Sequence, residues 1–286
     1  MKLDAKAVAA LAGFVALSFI PRAAHADDEG SWVDRKQTLP PLVIAVDGGL
    51  GIAHWSAGNI GGTGFGLNGE GSIGIIPHFT AGARVIGINF SDDAKFSNAA
   101  GYASTFDMQN AFPFFFSGAD TFSNPELWAR YEFLDMPNVE VSGEGRIYVP
   151  FASDSRFVVM AGLPVAIHLP QTLRVDTGAY FALGGYAGTL VYFHAPANVW
   201  FNVTEKLFLG PMTGISFFSI ANGPGAGGNN SQTLLNLGFG GGYTVLPELD
   251  IKVVPIFWPG INVDNGVGNF GFSAGIEYRI DALANR

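Results

Sequence analysis

The chain contains no cysteine, which excludes disulfides, thiol nucleophiles and cysteine-ligated metal centres. Charge is also scarce: Asp, Glu, Lys and Arg make up 14% of the residues, against roughly 25% in soluble domains. A chain of 286 residues with so few charges has difficulty covering itself with a hydrated surface, so part of its outside is expected to face something other than water. Basic residues are the scarcer sign, 15 Lys and Arg against 24 Asp and Glu, and this balance argues against nucleic acid as a partner. Beyond the first twenty residues no long apolar run exists. The longest, 157–167, is interrupted by Pro164 and falls short of the roughly 20 residues of a spanning helix. If the mature chain lies in a membrane, only a closed β-barrel satisfies its backbone hydrogen bonds.

What is present begins with an export signal. Lys2 and Lys6 precede the apolar run 7–20, and Ala24-His25-Ala26 offers a small-residue cleavage site before Asp27-Asp28-Glu29, the order of parts in a secretory signal. Cleavage is expected after Ala26. The expected organisation is then a signal peptide at 1–26, a periplasmic N-terminal segment at 27–40, a barrel at 41–280 and a C-terminal tail at 281–286.

Glycine and phenylalanine are abundant, 39 and 25 residues, and they fall into a period of two. In 139–149, Val139, Val141, Gly143, Gly145, Ile147 and Val149 alternate with Glu140, Ser142, Glu144, Arg146 and Tyr148, the pattern of a strand with one apolar and one polar face. The same period recurs in 233–245 and 269–280, at lengths close to the roughly 9 to 11 residues of a tilted membrane strand. A soluble sandwich or lipocalin-like barrel alternates equally well with its apolar face inward. The shortage of charge, and Tyr or Phe near the ends of apolar faces, favour the opposite orientation. Twelve strands are predicted, at 42–56, 64–76, 79–90, 125–134, 139–150, 156–168, 173–183, 189–203, 206–220, 233–245, 249–258 and 267–280. Tight turns such as 76–78, 135–138, 170–171, 204–205 and 247–248 alternate with generally longer, Gly/Asn/Ser-rich loops. The fold class is therefore all-β, an antiparallel up-and-down transmembrane β-barrel of about 12 strands.

Signal, alternating segments and a final aromatic strand together resemble bacterial outer-membrane β-barrel proteins, over nearly the whole mature chain and at the level of pattern. The resemblance implies an outer-membrane location, contact with outer-membrane lipid and insertion by the barrel-assembly machinery. Short turns and both termini are then periplasmic and the long loops external. Such proteins commonly finish on an aromatic residue, whereas Asp281 to Arg286 follow the last strand here.

Extending the alternation turns Glu70, Arg84, Glu126, Arg130, Glu132, Glu140, Glu144, Arg146, Arg174, Asp176, Glu277 and Arg279 inward. Acids and bases are interspersed, which suits either a wet lumen or a salt-bridge network that plugs it. Gly238, Gly240 and Gly242 are expected to leave space or admit an inserted loop. The loop 91–124 is too long for a simple connection and carries Phe106, Phe112, Phe114, Phe115, Phe116 and Phe122. It could constrict the lumen, cap the mouth or catch an apolar ligand, or it could extend neighbouring strands and pack on itself. These features point first to a passive pore or narrow channel for small solutes, apolar ones included. A non-conducting structural or surface-binding barrel is the alternative.

A third reading is enzymatic. In His54-Trp55-Ser56, His54 and Ser56 share the lipid-side face, and a histidine beside a serine can activate its hydroxyl for acyl transfer. The spacing is similar to that of outer-membrane phospholipases and lipid A deacylases, but Ala57 stands where those families usually carry Asn. His54 and Trp55 serve equally as interfacial residues. His78 falls in a turn, and His168 and His194 lack metal-ligand spacing. No metal, cofactor or enzymatic activity is expected.

Overall fold

The structure is a computed structural model that describes residues 32–282 apart from 58, 98, 104–119, 152–156, 170–171, 186–188, 222–229, 263–265 and 268. It consists of β1 (Val43–Ala57), β2 (Ile60–Ile76), β3 (Phe79–Asn89), helices α1 (Asp92–Ser97) and α2 (Ala99–Tyr102), β4 (Glu126–Met136), β5 (Val139–Tyr148), β6 (Val158–Leu169), β7 (Leu173–Gly185), β8 (Thr189–Asn202), β9 (Leu207–Ala221), β10 (Asn230–Leu246), β11 (Leu249–Asn262), the two-residue β12 (Gly266–Val267) and β13 (Asn269–Asp281). Each long strand pairs antiparallel with the next, β12 extends the β11 hairpin, and β1 pairs with β13 from Val43↔Asp281 to Trp55↔Asn269. The wall therefore closes as a twelve-stranded barrel without a free edge.

Alternation decides which side chains meet. In β4, Glu126, Trp128, Arg130 and Glu132 are buried while Leu127, Tyr131 and Phe133 are exposed. Around the rest of the wall, Ile52, Phe65, Val85, Leu163, Phe181, Ile215 and Phe239 project outward. The apolar face thus lies outside and the polar face inside, the reverse of a soluble barrel.

The predicted strands and tight turns fall where the backbone places them, with differences at strand ends; the turn 170–171 lies outside the described residues. β2 begins at Ile60 rather than 64, β10 at Asn230 rather than 233, and β11 runs on to Asn262 rather than 258. These extensions are rich in Gly, Asn and Pro, so they show no alternating pattern, yet backbone pairing continues through them. One turn, Pro77-His78, uses a positive φ of 65° at His78.

Of the segment 27–40, expected to precede the barrel in the periplasm, the described residues 32–39 lie inside it. Trp32–Asp34 form a turn of 3-10 helix, the chain extends along the inner wall, and it reverses at 40–42, where Val43 N–H donates to the Pro40 carbonyl. Trp32, Val33, Arg35, Gln37, Thr38 and Leu39 are all buried. Polar inner walls at this end make the position favourable, because they supply partners for a strap whose own backbone forms no sheet.

Candidate functional site

The strap 32–39 occupies the end of the barrel that carries the short turns. Trp32 stacks on Phe208 at 4.3 Å and meets Trp200 edge-on at 5.6 Å. The Arg174 guanidinium and the Lys252 ammonium lie 5.2 Å and 5.7 Å from its ring centroid, a cation–π arrangement. Arg35 pairs with Asp250, which also accepts from Thr244 Oγ1 at 2.7 Å. Thr38 Oγ1 donates to Glu132 at 3.0 Å, and Ser142 Oγ donates to Gln37 Oε1 at 3.0 Å. Lys36 sits at the rim, bonded to Asp135. Burial opposes its charge, but the Asp135 hydrogen bond and the charges of Glu140, Asp135 and Glu132 outweigh that and hold its pKa above the ordinary lysine value.

Above the strap a ladder of alternating charge crosses β2 to β5. Arg84 reaches Glu70 at 3.2 Å and Glu126 at 2.7 Å. Arg146 binds Glu126 and Glu144, and Arg130 Nε donates to Glu144 at 2.8 Å. Trp128 Nε1 closes the outer end by donating to Glu70 at 2.6 Å. Elsewhere Arg174 pairs with Asp176 at 2.8 Å, and Glu277 holds both Arg279, at 2.6 Å, and Lys252. All twelve residues assigned inward by alternation are buried on this inner face. Asp250 and Lys252 belong with them and were missed, although they alternate with Ile251 and Val253. A cavity of about 40 Å³ remains between strap and wall, bordered by Gln37, Glu70, Thr80, Trp128 and Arg130. That volume suits a few water molecules, not a solute.

At the opposite end, α1 and α2 fold inward against β1 and β2. An added Cβ on Gly64 would fall 2.0 Å from Ala94 Cα, and one on Gly66 2.2 Å from the Ala100 nitrogen. These glycines are what let helix backbone lie directly on strand backbone. Gly238, Gly240 and Gly242 were expected to leave space or admit an inserted loop; at Gly238 and Gly242 the Phe257 and Phe208 rings take up the space. Asn89 Oδ1 accepts from Ala100 N–H at 2.8 Å, and Asn68 Nδ2 donates to the Ala100 carbonyl at 3.4 Å. Phe112, Phe114, Phe115 and Phe116 lie outside the described residues, and Phe122 is exposed. Deeper on the β5–β9 wall, Tyr148, Met160, Tyr180 and Tyr192 form an apolar inner patch. Beside it, Ser216 Oγ is shared by Tyr192, His194 and Asn236.

His54 and Ser56 face outward. The His54 ring meets Thr63 Oγ1 at 3.0 Å and lies against Phe270. An uncharged hydroxyl does not stabilise the imidazolium that acyl transfer forms. Trp55 points inward instead of lying at a membrane interface, and its Nε1 donates to Asp93 of α1 at 3.4 Å. His78, Glu132 and Asp135 bring ligand-type atoms within 4.8 Å of one another, but the Lys36 ammonium already neutralises Asp135.

No family model and no curated protein matches the sequence. Solved structures do match the fold. The NanC porin aligns over 83% of this chain and 100% of its own, at 9% identity and a TM-score of 0.50. The translocator domain of the autotransporter NalP from Neisseria meningitidis aligns over 86% and 90%, at 12% identity and 0.51. An outer-membrane channel from Pseudomonas putida F1 aligns over 85% and 97%, at 12% identity and 0.51. By its closed antiparallel wall, apolar outside and charged inside, this chain has the fold of outer-membrane β-barrels.

Proposed function

We propose that this protein is an outer-membrane channel for small solutes, held shut in this conformation by its own N-terminal strap, with termini and short turns on the periplasmic side. The observation that carries the reading is how the strap is held. Apart from the Arg35 bond to the Pro247 carbonyl, which lies in a turn, its bonds from Arg35, Gln37, Thr38 and Leu39 run to side chains of the inner wall, so it can leave without breaking a single pair of the barrel's sheet. What would remain is a polar, charge-lined lumen of the kind that conducts water-soluble solutes. The channel neighbours agree with this reading.

Planar-bilayer recording tests it. Trp32→Ala with Arg35→Ala removes the aromatic anchor and the buried ion pair, and truncating a buried Trp alone costs about 3–5 kcal/mol. The double variant is expected to raise the open probability at least about tenfold, which needs only about 1.4 kcal/mol. A second reading, a non-conducting structural barrel, is favoured by the apolar contacts that link Trp32 and Phe208 through Met212, Val254 and Phe257 to Ala53 and Ala99. Silence of both wild type and double variant would select it.

A further inference from the structure

We propose that the inner wall at the short-turn end is a binding groove for a peptide segment carrying an aromatic residue three positions before a basic one, with residues 32–39 as its tethered occupant. This rests on the displaceable strap of the previous reading. Wall side chains meet main-chain groups of alternate strap residues. The Val33 carbonyl lies 3.0 Å from His168 Nδ1, and the Arg35 carbonyl accepts from Arg174 at 2.6 Å. Gln37 N–H donates to Glu140 at 2.8 Å, while its carbonyl accepts from Arg130 at 3.0 Å. Leu39 N–H donates to Thr80 Oγ1 at 2.8 Å. A spacing of two residues is the repeat of extended chain, and bonds to main chain are blind to sequence. Peptide-recognition grooves combine such bonds with a few side-chain pockets.

Two pockets supply the selectivity. The opening 3-10 turn places residues three apart on one side, so Trp32 and Arg35 anchor together. The Trp32 box reads a ring face between Phe208, Trp200 and two cations. The buried indole N–H has no acceptor among the described residues, so the box selects an aromatic ring and not an indole donor. Arg35 is read by Asp250 and by the Pro247 carbonyl at 3.1 Å. Asp34 and Lys36 are exposed, and Lys36 bonds Asp135 only at the rim.

The test uses the full mature chain carrying Trp32→Ala and Arg35→Ala, in detergent micelles, with a synthetic peptide of residues 32–40 bearing a fluorophore at its C-terminus. Saturable anisotropy is expected. Trp32→Ala or Arg35→Ala in the peptide should weaken it at least about tenfold, whereas Trp32→Phe or Lys36→Ala should change it by less than about threefold. Absence of saturable binding, or equal binding of a scrambled peptide, overturns the proposal. Wild-type chain provides a second measurement that does not depend on the variant folding. Excess unlabelled peptide should speed hydrogen exchange at the Gln37 and Leu39 amides, and unchanged exchange would count against the groove. Neither readout is a current. Peptide capture by a barrel that never conducts would remove the channel and leave the groove, and conductance without capture would do the reverse.

Discussion

Replacing Arg146 by methionine is expected to lower the stability of the barrel by about 3–5 kcal/mol, read as a shifted urea midpoint of the purified protein in micelles. Arg146 is the inner rung of the charge ladder and the only described cation that bonds both Glu126 and Glu144. Its side chain is 1% exposed, as is that of Glu126, and Glu144 is fully buried. The favourable energy of such a pair is nearly cancelled by the cost of dehydrating it, but removing one partner leaves the dehydration cost standing without the attraction. Arg146→Met takes one of two cationic partners from each of Glu126 and Glu144, which keep Arg84 and Arg130, and leaves the ladder with one buried negative charge in excess. The same reasoning makes a paired removal milder. Arg130→Met with Glu144→Leu leaves Glu70, Arg84, Glu126 and Arg146 as a neutral set, so the double variant should lose less stability than Arg146→Met, though it also gives up the Arg130 bond to Gln37. A loss below about 1 kcal/mol for Arg146→Met would mean that water enters the ladder and screens it.

Gly64→Val is expected to push α1 off the wall while the wall itself stays intact. The atoms that a new side chain would strike are the Ala94 backbone, which cannot swing aside as a side-chain tip can. Overpacking of this kind typically costs about 1–3 kcal/mol, and the helices should bear it, because the strand pairs of Gly64 to β1 are backbone bonds that a valine leaves in place. The absence of cysteine in the chain makes the check simple. Ala99 is fully buried, so Ala99→Cys should react slowly with a maleimide in an otherwise unchanged barrel. In the Gly64→Val background the rate should rise at least about tenfold, since labelling follows the population of the opened state. Equal rates would show that the helices do not depend on the close approach at Gly64. In bilayers, Gly64→Val combined with Trp32→Ala and Arg35→Ala should conduct more than the strap variant alone, because both inserts are then loosened.

Residues differed in how much they revealed before the structure was known. Glu140 and Glu144 could be assigned inward because one stands between Val139 and Val141 and the other between Gly143 and Gly145, alternating with them on a long uninterrupted strand. Asp250 and Lys252 carried the same signal, on a strand whose Pro255, Pro259 and Gly260 weakened it. His54 and Ser56 were rightly placed on one face, but Thr63, the partner of the imidazole, comes from the neighbouring strand, and no spacing within β1 announces it. The glycines of β10 looked like a place for an inserted loop and instead accommodate two phenylalanine rings. The helices rest on Gly64 and Gly66, in a glycine-rich run where the alternation of apolar and polar side chains is interrupted.

The strands of this protein, and which of their faces is charged, were determined by the sequence alone, because alternation and tight turns are properties of neighbouring residues. What stands inside the wall was decided only by the tertiary structure. Thr38 meets Glu132 across 94 residues of chain and Arg35 meets Asp250 across 215, separations over which no local pattern reaches. Whether a charged interior is a passage or a seat therefore depends on a strap of eight residues, 32–39, that carries no periodicity of its own and takes its conformation from the side chains that receive it.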